Sequence, residues 1–217
     1  MKNSACLDAG GKNVAMMWIP PETDDLAPYL RSDSIVEAGS PVIAELAQHL
    51  RATTASTAEH DFIRTAFDWV RDHILHSFDA RDPTVTLTAT EVLTHRVGLC
   101  YAKSHLLAAL LRSEGVPTGF CYQRLATETG HVVHGLVAVY SGGHWHRLDP
   151  RGNNERVTSS FDLEHEKLAY KTDPTLGEID YPGVYAAPAA EVVSALGTGR
   201  DALAMPLPAG LVAPSVS

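Results

Sequence analysis

At the centre of the sequence is the stretch Val97-Gly98-Leu99-Cys100-Tyr101-Ala102-Lys103-Ser104, whose cysteine opens a run that is typical of a buried helix. Leucines follow in pairs at positions 106, 107, 110 and 111, and Gly115 and Pro117 end the helix. A thiol in the first turn lies among free backbone N–H groups at the positive end of the helix dipole, which favours the thiolate. We therefore predict that Cys100 is a nucleophile and that the remaining chain positions its partners.

Two amphipathic helices are predicted upstream of this run. The first extends from Ser40 to Leu50, with a capping hydroxyl followed by proline at the first helical position. The second occupies residues 58–76 and carries an apolar stripe at helical spacing. His73 and His76 fall near its end, where we interpret both as cations close to a helix C-terminus.

Three shorter elements are also predicted: a short helix before the cysteine helix, and one element near each end of the chain. Thr88 and Glu91 have capping-box spacing, which predicts a short helix that ends near Arg96. An apolar run at residues 14–19 predicts a strand, and residues 189–196 predict a short helix in an otherwise irregular C-terminal region.

After Pro117 the apolar pattern changes to that of strands. Three strands are predicted, over Phe120–Leu125, Val132–Tyr140 and His144–Leu148, and the turn residues Ser141-Gly142-Gly143 separate the last two. Helices that precede an antiparallel sheet indicate an α+β fold, with the cysteine helix packed on the sheet.

The hairpin brings two polar residues together. If Ser141-Gly142 forms a two-residue turn, Tyr140 lies opposite Gly143, and His134 lies opposite Asp149. Side chains that face each other across an antiparallel pair have Cβ atoms about 4.5–5.5 Å apart. This register predicts an imidazole in contact with a carboxylate.

The chemistry of acyl transfer requires these residue types. A thiol that attacks an amide carbonyl needs a base that later returns the proton to the leaving amine, and histidine does both near neutral pH. We assign Cys100 as nucleophile, His134 as base and Asp149 as the residue that orients the imidazole. His131 is the rival base. The alternatives are a core histidine at 134 and a turn-forming aspartate at 149.

A zinc site is a second use for the histidines. The possible ligands are His131, His134, His144, His146 and Cys121. However, the sequence contains no CxxC or HExxH spacing, which weakens this alternative.

These residues resemble the transglutaminase-like superfamily, a papain-related group that includes bacterial cysteine proteases. The resemblance rests on Gly98-Leu99-Cys100 at a helix start, His134 at the start of a core strand, and Trp145 to Asp149 closing the next strand. It covers about residues 35–155. One departure is Leu136, because many members have an aromatic residue two positions after the histidine.

The resemblance implies a papain-like fold and a Cys100–His134–Asp149 triad that cleaves peptide or glutamine amides through a thioester. The partner is then a peptide or protein substrate, whose acyl group is transferred from the cysteine to water or to an amine. A catalytically silent peptide-binding module with the same fold is the alternative.

The cleft and the oxyanion site are only partly assigned. Three aromatic residues are predicted to bind substrate, with core packing as the alternative: Tyr101, Tyr140 and Trp145. The backbone N–H of Cys100 is the first expected oxyanion donor, and the second is placed near Trp18 or Tyr29.

Length, net charge and cysteine content limit the classes of protein to which this chain can belong. The 217 residues suit one domain, with a core at about 35–155 and an extension at about 160–217. A net charge of −9 argues against binding to nucleic acid or anionic membranes. Three scattered cysteines favour a reducing cytoplasm over a disulfide framework, and neither signal peptide nor membrane span is predicted. The absence of a DxDxDG loop predicts no calcium, and no cofactor is expected.

Overall fold

The computed structural model describes residues 20–212. Within this range, a 3-10 helix, Ala27–Leu30, and four α-helices precede the cysteine helix: α1 Pro41–Thr53, α2 Glu59–His73, α3 Ser77–Ala80 and α4 Ala89–His95. Of these, α1, α2 and α4 were expected from the pattern, and α3 is an additional turn. The Thr88 hydroxyl accepts from the Glu91 N–H while the Glu91 carboxylate accepts from the Thr88 N–H, which confirms the capping box. The strand predicted over 14–19 lies outside the described residues.

The cysteine helix, α5 Cys100–Ser113, lies at the centre of the molecule. Helices α1, α2 and α4 cover one side of it, and the sheet covers the other. Every residue from Cys100 to Arg112 is therefore buried. A helix that is covered on all sides carries apolar residues all round, which explains why its hydrophobic run is continuous rather than striped.

The main sheet is antiparallel, and its strands are β3 Thr118–Thr127, β4 Gly130–Ser141, β5 His144–Leu148 and β6 Ile179–Asp180. They lie in the order β5-β4-β3-β6. Valines 133, 137 and 139 of β4 join the core around α5, whereas Leu136 and Ala138 join a smaller cluster that contains Tyr29. The predicted α+β class, with the cysteine helix on an antiparallel sheet, is confirmed.

The register predicted for the β4–β5 hairpin is wrong by two residues. Tyr140 lies opposite Trp145 rather than Gly143, and the loop consists of Gly142 and Gly143. Both glycines have positive φ, 60° and 87°. The common two-residue hairpin turn requires positive φ at both loop positions, so the two glycines occupy the corner and Ser141 stays in the strand.

A second, two-stranded sheet lies at the start of α5. Its strands, β1 Leu75–His76 and β2 Val97–Gly98, are parallel, and His76 is the partner of Gly98. The second helix therefore ends at His73, three residues before the predicted end, and His76 belongs to a strand.

The chain beyond β5 returns to the core through β6 and the predicted C-terminal helix, α6 Ala190–Thr198, which buries Val192 and Leu196. The buried guanidinium of Arg112 donates to carbonyl oxygens of Thr118, Arg31 and Ala186, and so ties early and late segments to α5. Within residues 20–212, no helix combines the length and the apolar character needed to cross a membrane.

Candidate active site

Cys100 occupies the first position of α5, and the sheet meets the helix at this residue. No side chain caps the helix, so its first N–H groups are free to serve a ligand. The Cys100 Sγ accepts a hydrogen bond from the Gly135 N–H, 3.4 Å away, and the residue is 8% exposed. The sulfur therefore sits where the N-terminus of α5 meets the edge of β4, next to His134.

Gly135 permits this close approach of helix and strand. A Cβ atom at position 135 would lie 2.8 Å from the Tyr101 Cδ1 and 3.4 Å from the Tyr101 Cα. The Tyr101 hydroxyl donates to the Val133 carbonyl, so the tyrosine ring has little freedom to yield. Glycine at 135 is thus required by packing.

We expect Gly135→Ala to lower the free energy of unfolding by about 1–3 kcal/mol, the usual cost of overpacking a tight core. Urea unfolding measures the change. Gly197→Ala is the matched control, because the nearest atom to an added Cβ there is the Leu87 Cδ2 at 3.9 Å, in a helix that alanine favours. Equal stabilities of the two variants would contradict the packing argument.

His134 and Asp149 form a buried pair. The Nε2 of His134 lies 2.8 Å from the Oδ2 of Asp149, and the two residues are 4% and 1% exposed. Because Nε2 is engaged by the carboxylate, Nδ1 is the ring nitrogen that remains for Cys100.

The neighbouring charges in the site shift the pKa values of His134 and Asp149 in opposite directions. Burial lowers the pKa of His134, but the charges of Asp149 and Cys100 and hydrogen bonds to both outweigh it, so the pKa is raised well above its ordinary value. Burial raises the pKa of Asp149, but the imidazole and two backbone N–H groups outweigh it and the pKa is lowered. The arrangement favours an imidazolium paired with a carboxylate.

Sequence reasoning missed two residues of this site. The Ala169 N–H donates to the Asp149 Oδ2 at 3.0 Å, and the Tyr170 ring packs edge-on against His134 with ring centroids 5.0 Å apart. Both belong to an irregular segment after β5. A backbone donor leaves no sequence signal, and a single tyrosine outside a regular element carries a weak one.

The aromatic residues assigned to substrate binding make packing contacts in the fold. Tyr101 is buried beneath Gly135, with its hydroxyl on the Val133 carbonyl. Tyr140 and Trp145 pack together with ring centroids 5.4 Å apart. Tyr140 is six residues from His134, which is about 20 Å along a strand at 3.3 Å per residue. Tyr101 thus packs beneath the site formed by Cys100, His134 and Asp149, whereas Tyr140 and Trp145 lie away from it.

Tyr29, one of the two residues near which the second oxyanion donor was predicted, lies away from the site. Tyr29 packs against Trp145, and its hydroxyl donates to the Val184 carbonyl at 3.0 Å. Trp18 lies outside the described residues.

The interpretation of His76 as a helix-end cation is wrong. His76 is 8% exposed, and burial together with the charge of Arg151 lowers its pKa to about 3, so the imidazole is neutral. Its Nδ1 is buried without a hydrogen-bond partner, which costs about 1–3 kcal/mol. His73 does lie in the last turn of α2, exposed, with its Nδ1 3.0 Å from the Trp69 carbonyl oxygen.

The possible zinc ligands do not converge. His131 contacts the Leu176 carbonyl, His146 contacts the carbonyls of Leu163 and Ser141, and the Cys121 thiol lies near the Gly183 carbonyl. In the part of the chain that the structure describes, no three His, Cys, Asp or Glu side chains are grouped to hold a metal ion.

A cysteine at the start of a central helix, with a histidine on the adjoining sheet and an aspartate directly after strand β5, is the arrangement of a papain-like α+β core. A sequence model of the transglutaminase-like superfamily matches residues 44–150. This segment runs from α1 through Asp149 and contains all three polar residues. Over this segment, which is just under half of the chain, the protein is similar to the transglutaminase-like superfamily.

Comparison with solved structures finds similar chains at low sequence identity. A candidate cysteine protease from Cytophaga hutchinsonii is 19% identical with a TM-score of 0.50, over 59% of this chain and 43% of that one. The periplasmic domain of TgpA from Pseudomonas aeruginosa, bound to ethylmercury, is 16% identical with a TM-score of 0.44, over 56% and 46%. This chain thus spans less than half of either solved protein. No curated protein matches significantly.

Proposed function

We propose that this protein is a cysteine-dependent hydrolase or acyltransferase that acts on peptide or glutamine amide bonds through a thioester acyl-enzyme. The observation that carries the proposal is the buried His134–Asp149 pair, 2.8 Å between Nε2 and Oδ2, beside a cysteine at a helix N-terminus. A structural role for the pair explains neither the adjacent thiol nor the free N–H groups around it.

The reaction follows from the positions of these groups. The Cys100 thiolate adds to the amide carbonyl carbon, and the carbonyl π electrons move onto oxygen, which the N–H at the start of α5 stabilises. The C–N bond then breaks, and the His134 imidazolium gives its proton to the leaving amine. Water or a second amine, deprotonated by His134, attacks the thioester and releases the thiol. Asp149 holds the imidazole with Nδ1 toward the sulfur throughout.

Selective alkylation tests the proposal. Iodoacetamide at neutral pH is expected to modify Cys100 much faster than Cys121, whose pKa burial raises to about 12. Peptide mapping by mass spectrometry locates the modified residue, and Cys100→Ala should abolish the fast reaction. Fast modification of Cys6 or Cys121 instead would overturn the assignment. Slow modification of every cysteine would favour the silent binding module.

The acceptor is distinguished by a competing amine. When a peptide substrate is cleaved in the presence of a primary amine, hydrolysis yields the free acid and acyl transfer yields the new amide. Mass spectrometry separates the two products.

The cellular compartment is a related proposal: free, scattered cysteines favour the cytoplasm. Cell fractionation tests this proposal.

A further inference from the structure

The site as described supplies one donor for the oxyanion, the backbone N–H of Cys100, whereas such sites use two or more. Among the described residues, His76 is the candidate for a second donor. Its Nδ1 is the one ring nitrogen in residues 20–212 that is buried without any hydrogen-bond partner. A buried polar atom that lacks a partner in the free protein is accounted for when a ligand supplies that partner.

The backbone places His76 beside the start of α5. His76 is the parallel partner of Gly98, two residues before Cys100, and paired strands lie about 4.8 Å apart. Side chains alternate along a strand, and the preceding Leu75 is 58% exposed, so the His76 ring faces inward.

A buried lysine holds this junction in place. The Lys103 ammonium, one turn into α5, donates to the carbonyl oxygens of Ile74 and Arg71. The chain that leads from α2 into β1 is thereby fixed to the same turn of α5 that carries Cys100. The position of His76 relative to Cys100 is set on both sides, by Gly98 and by Lys103.

Burial, followed by the charge of Arg151, lowers the pKa of His76 and keeps its imidazole neutral. Arg151, Asp79, Lys103 and His134 are its charged neighbours. The Asp79 carboxylate is occupied by Arg151, with N–O distances of 2.8 and 3.0 Å, and by Asn154 at 2.9 Å. A neutral imidazole with its hydrogen on Nδ1 is a donor, and the nearby cations strengthen the local preference for an anion.

We propose that the His76 imidazole is the second oxyanion donor, acting with the Cys100 N–H on the carbonyl oxygen of the substrate. This inference rests on the proposed function. When the Cys100 sulfur bonds to the carbonyl carbon, the C=O π electrons move onto oxygen, and the Nδ1–H donates a hydrogen bond to it. When the oxyanion collapses to the thioester, the leaving group takes the C–N or C–O bonding pair and His76 keeps its proton.

Two reagents separate this role from activation of the thiol. Acylation of Cys100 by p-nitrophenyl acetate forms an oxyanion, whereas alkylation by iodoacetamide displaces iodide at a saturated carbon and forms none. His76→Phe is expected to slow acylation by about 10²–10³-fold, and to leave the alkylation rate within about twofold of wild type. His76→Gln, which retains an N–H donor, should recover part of the acylation rate.

His73→Phe is the matched control, since the same change three residues away at an exposed site should alter neither rate. If circular dichroism shows that His76→Phe does not fold, His76→Met is the alternative variant, because methionine also lacks the N–H donor and its side chain is flexible. Equal losses in both reactions would mean that His76 acts on the thiol, and no loss in either reaction would mean that His76 is structural. Either result would overturn the oxyanion role of His76 but not the proposed function. A wild-type protein inert to both reagents contradicts the proposed function and, with it, the role of His76.

Discussion

Asp149→Asn is expected to reduce acyl transfer by about 10³–10⁴-fold, a loss of the size seen when the orienting carboxylate of a catalytic triad is neutralised. The carboxylate accepts from three donors: the His134 Nε2–H and the N–H groups of Ala169 and Arg151. Asparagine can accept on one side only. Its amide nitrogen must face an N–H group whichever way the side chain is turned.

The less costly orientation keeps the asparagine oxygen on His134 and Ala169 and turns the amide nitrogen toward the Arg151 N–H. This orientation retains the ring position but removes the negative charge that raises the pKa of His134. The pKa of His134 then falls, and less of the thiolate–imidazolium pair is available. We also expect a loss of about 2–4 kcal/mol of stability from the unpaired buried donor and the lost ion pair.

Rates of p-nitrophenyl acetate turnover and urea unfolding measure the two effects separately. Asp173→Asn is the control, because this exposed aspartate lies in the same irregular region and only caps a short turn through Thr175. A rate for Asp149→Asn within tenfold of wild type would contradict the orienting role of the carboxylate.

The contact between His134 and Asp149 was predictable, although the register used to predict it was not correct. Because the side-chain period of a strand is two, a slip of two residues leaves every side chain on its original face. Ladder pairing with β5 stops at Val137 opposite Leu148, so no residue of β5 lies directly across from His134. Asp149 reaches the ring diagonally from just beyond the end of β5.

What the sequence could not reveal are contacts made by backbone groups and by buried polar side chains. Ala169 acts through its N–H, which any residue except proline would provide. Lys103 and His76 break the hydrophobic and amphipathic patterns, and their roles depend on the carbonyls and charges that the tertiary fold brings near them. Periodicity locates the elements of this fold, whereas these polar contacts depend on how the elements pack.

Buried histidines should also govern the acid stability of the protein, and His105 allows this to be tested outside the site. His105 is 1% exposed, its Nδ1 lies 2.7 Å from the Leu87 carbonyl oxygen, and its ring packs edge-on against Phe120. Burial lowers its pKa to about 4. In the unfolded chain a histidine binds its proton near pH 6.5.

The sign of the effect follows from these two values. Above pH 6.5 neither state holds the extra proton, so the stability contribution of a neutral His105 is fully present. As the pH falls toward 4, the unfolded chain binds a proton that the folded chain refuses, and stability falls. Between pH 7 and pH 4 this single group removes about 3 kcal/mol, because one unit of pKa corresponds to about 1.4 kcal/mol.

His105→Gln keeps an N–H donor for the Leu87 carbonyl and removes the titrating ring. We expect the variant to be less stable than wild type by about 1 kcal/mol at pH 7, through the lost aromatic contact. Its loss of stability between pH 7 and pH 4 should be smaller than that of wild type by about 3 kcal/mol, so that the variant is the more stable protein at pH 4. Urea unfolding at both pH values measures this crossing, and His73→Gln, at an exposed site, should follow wild type. Parallel pH dependences for wild type and His105→Gln would show that the buried imidazole does not resist protonation, since a ring that accepts its proton equally in both states contributes no slope.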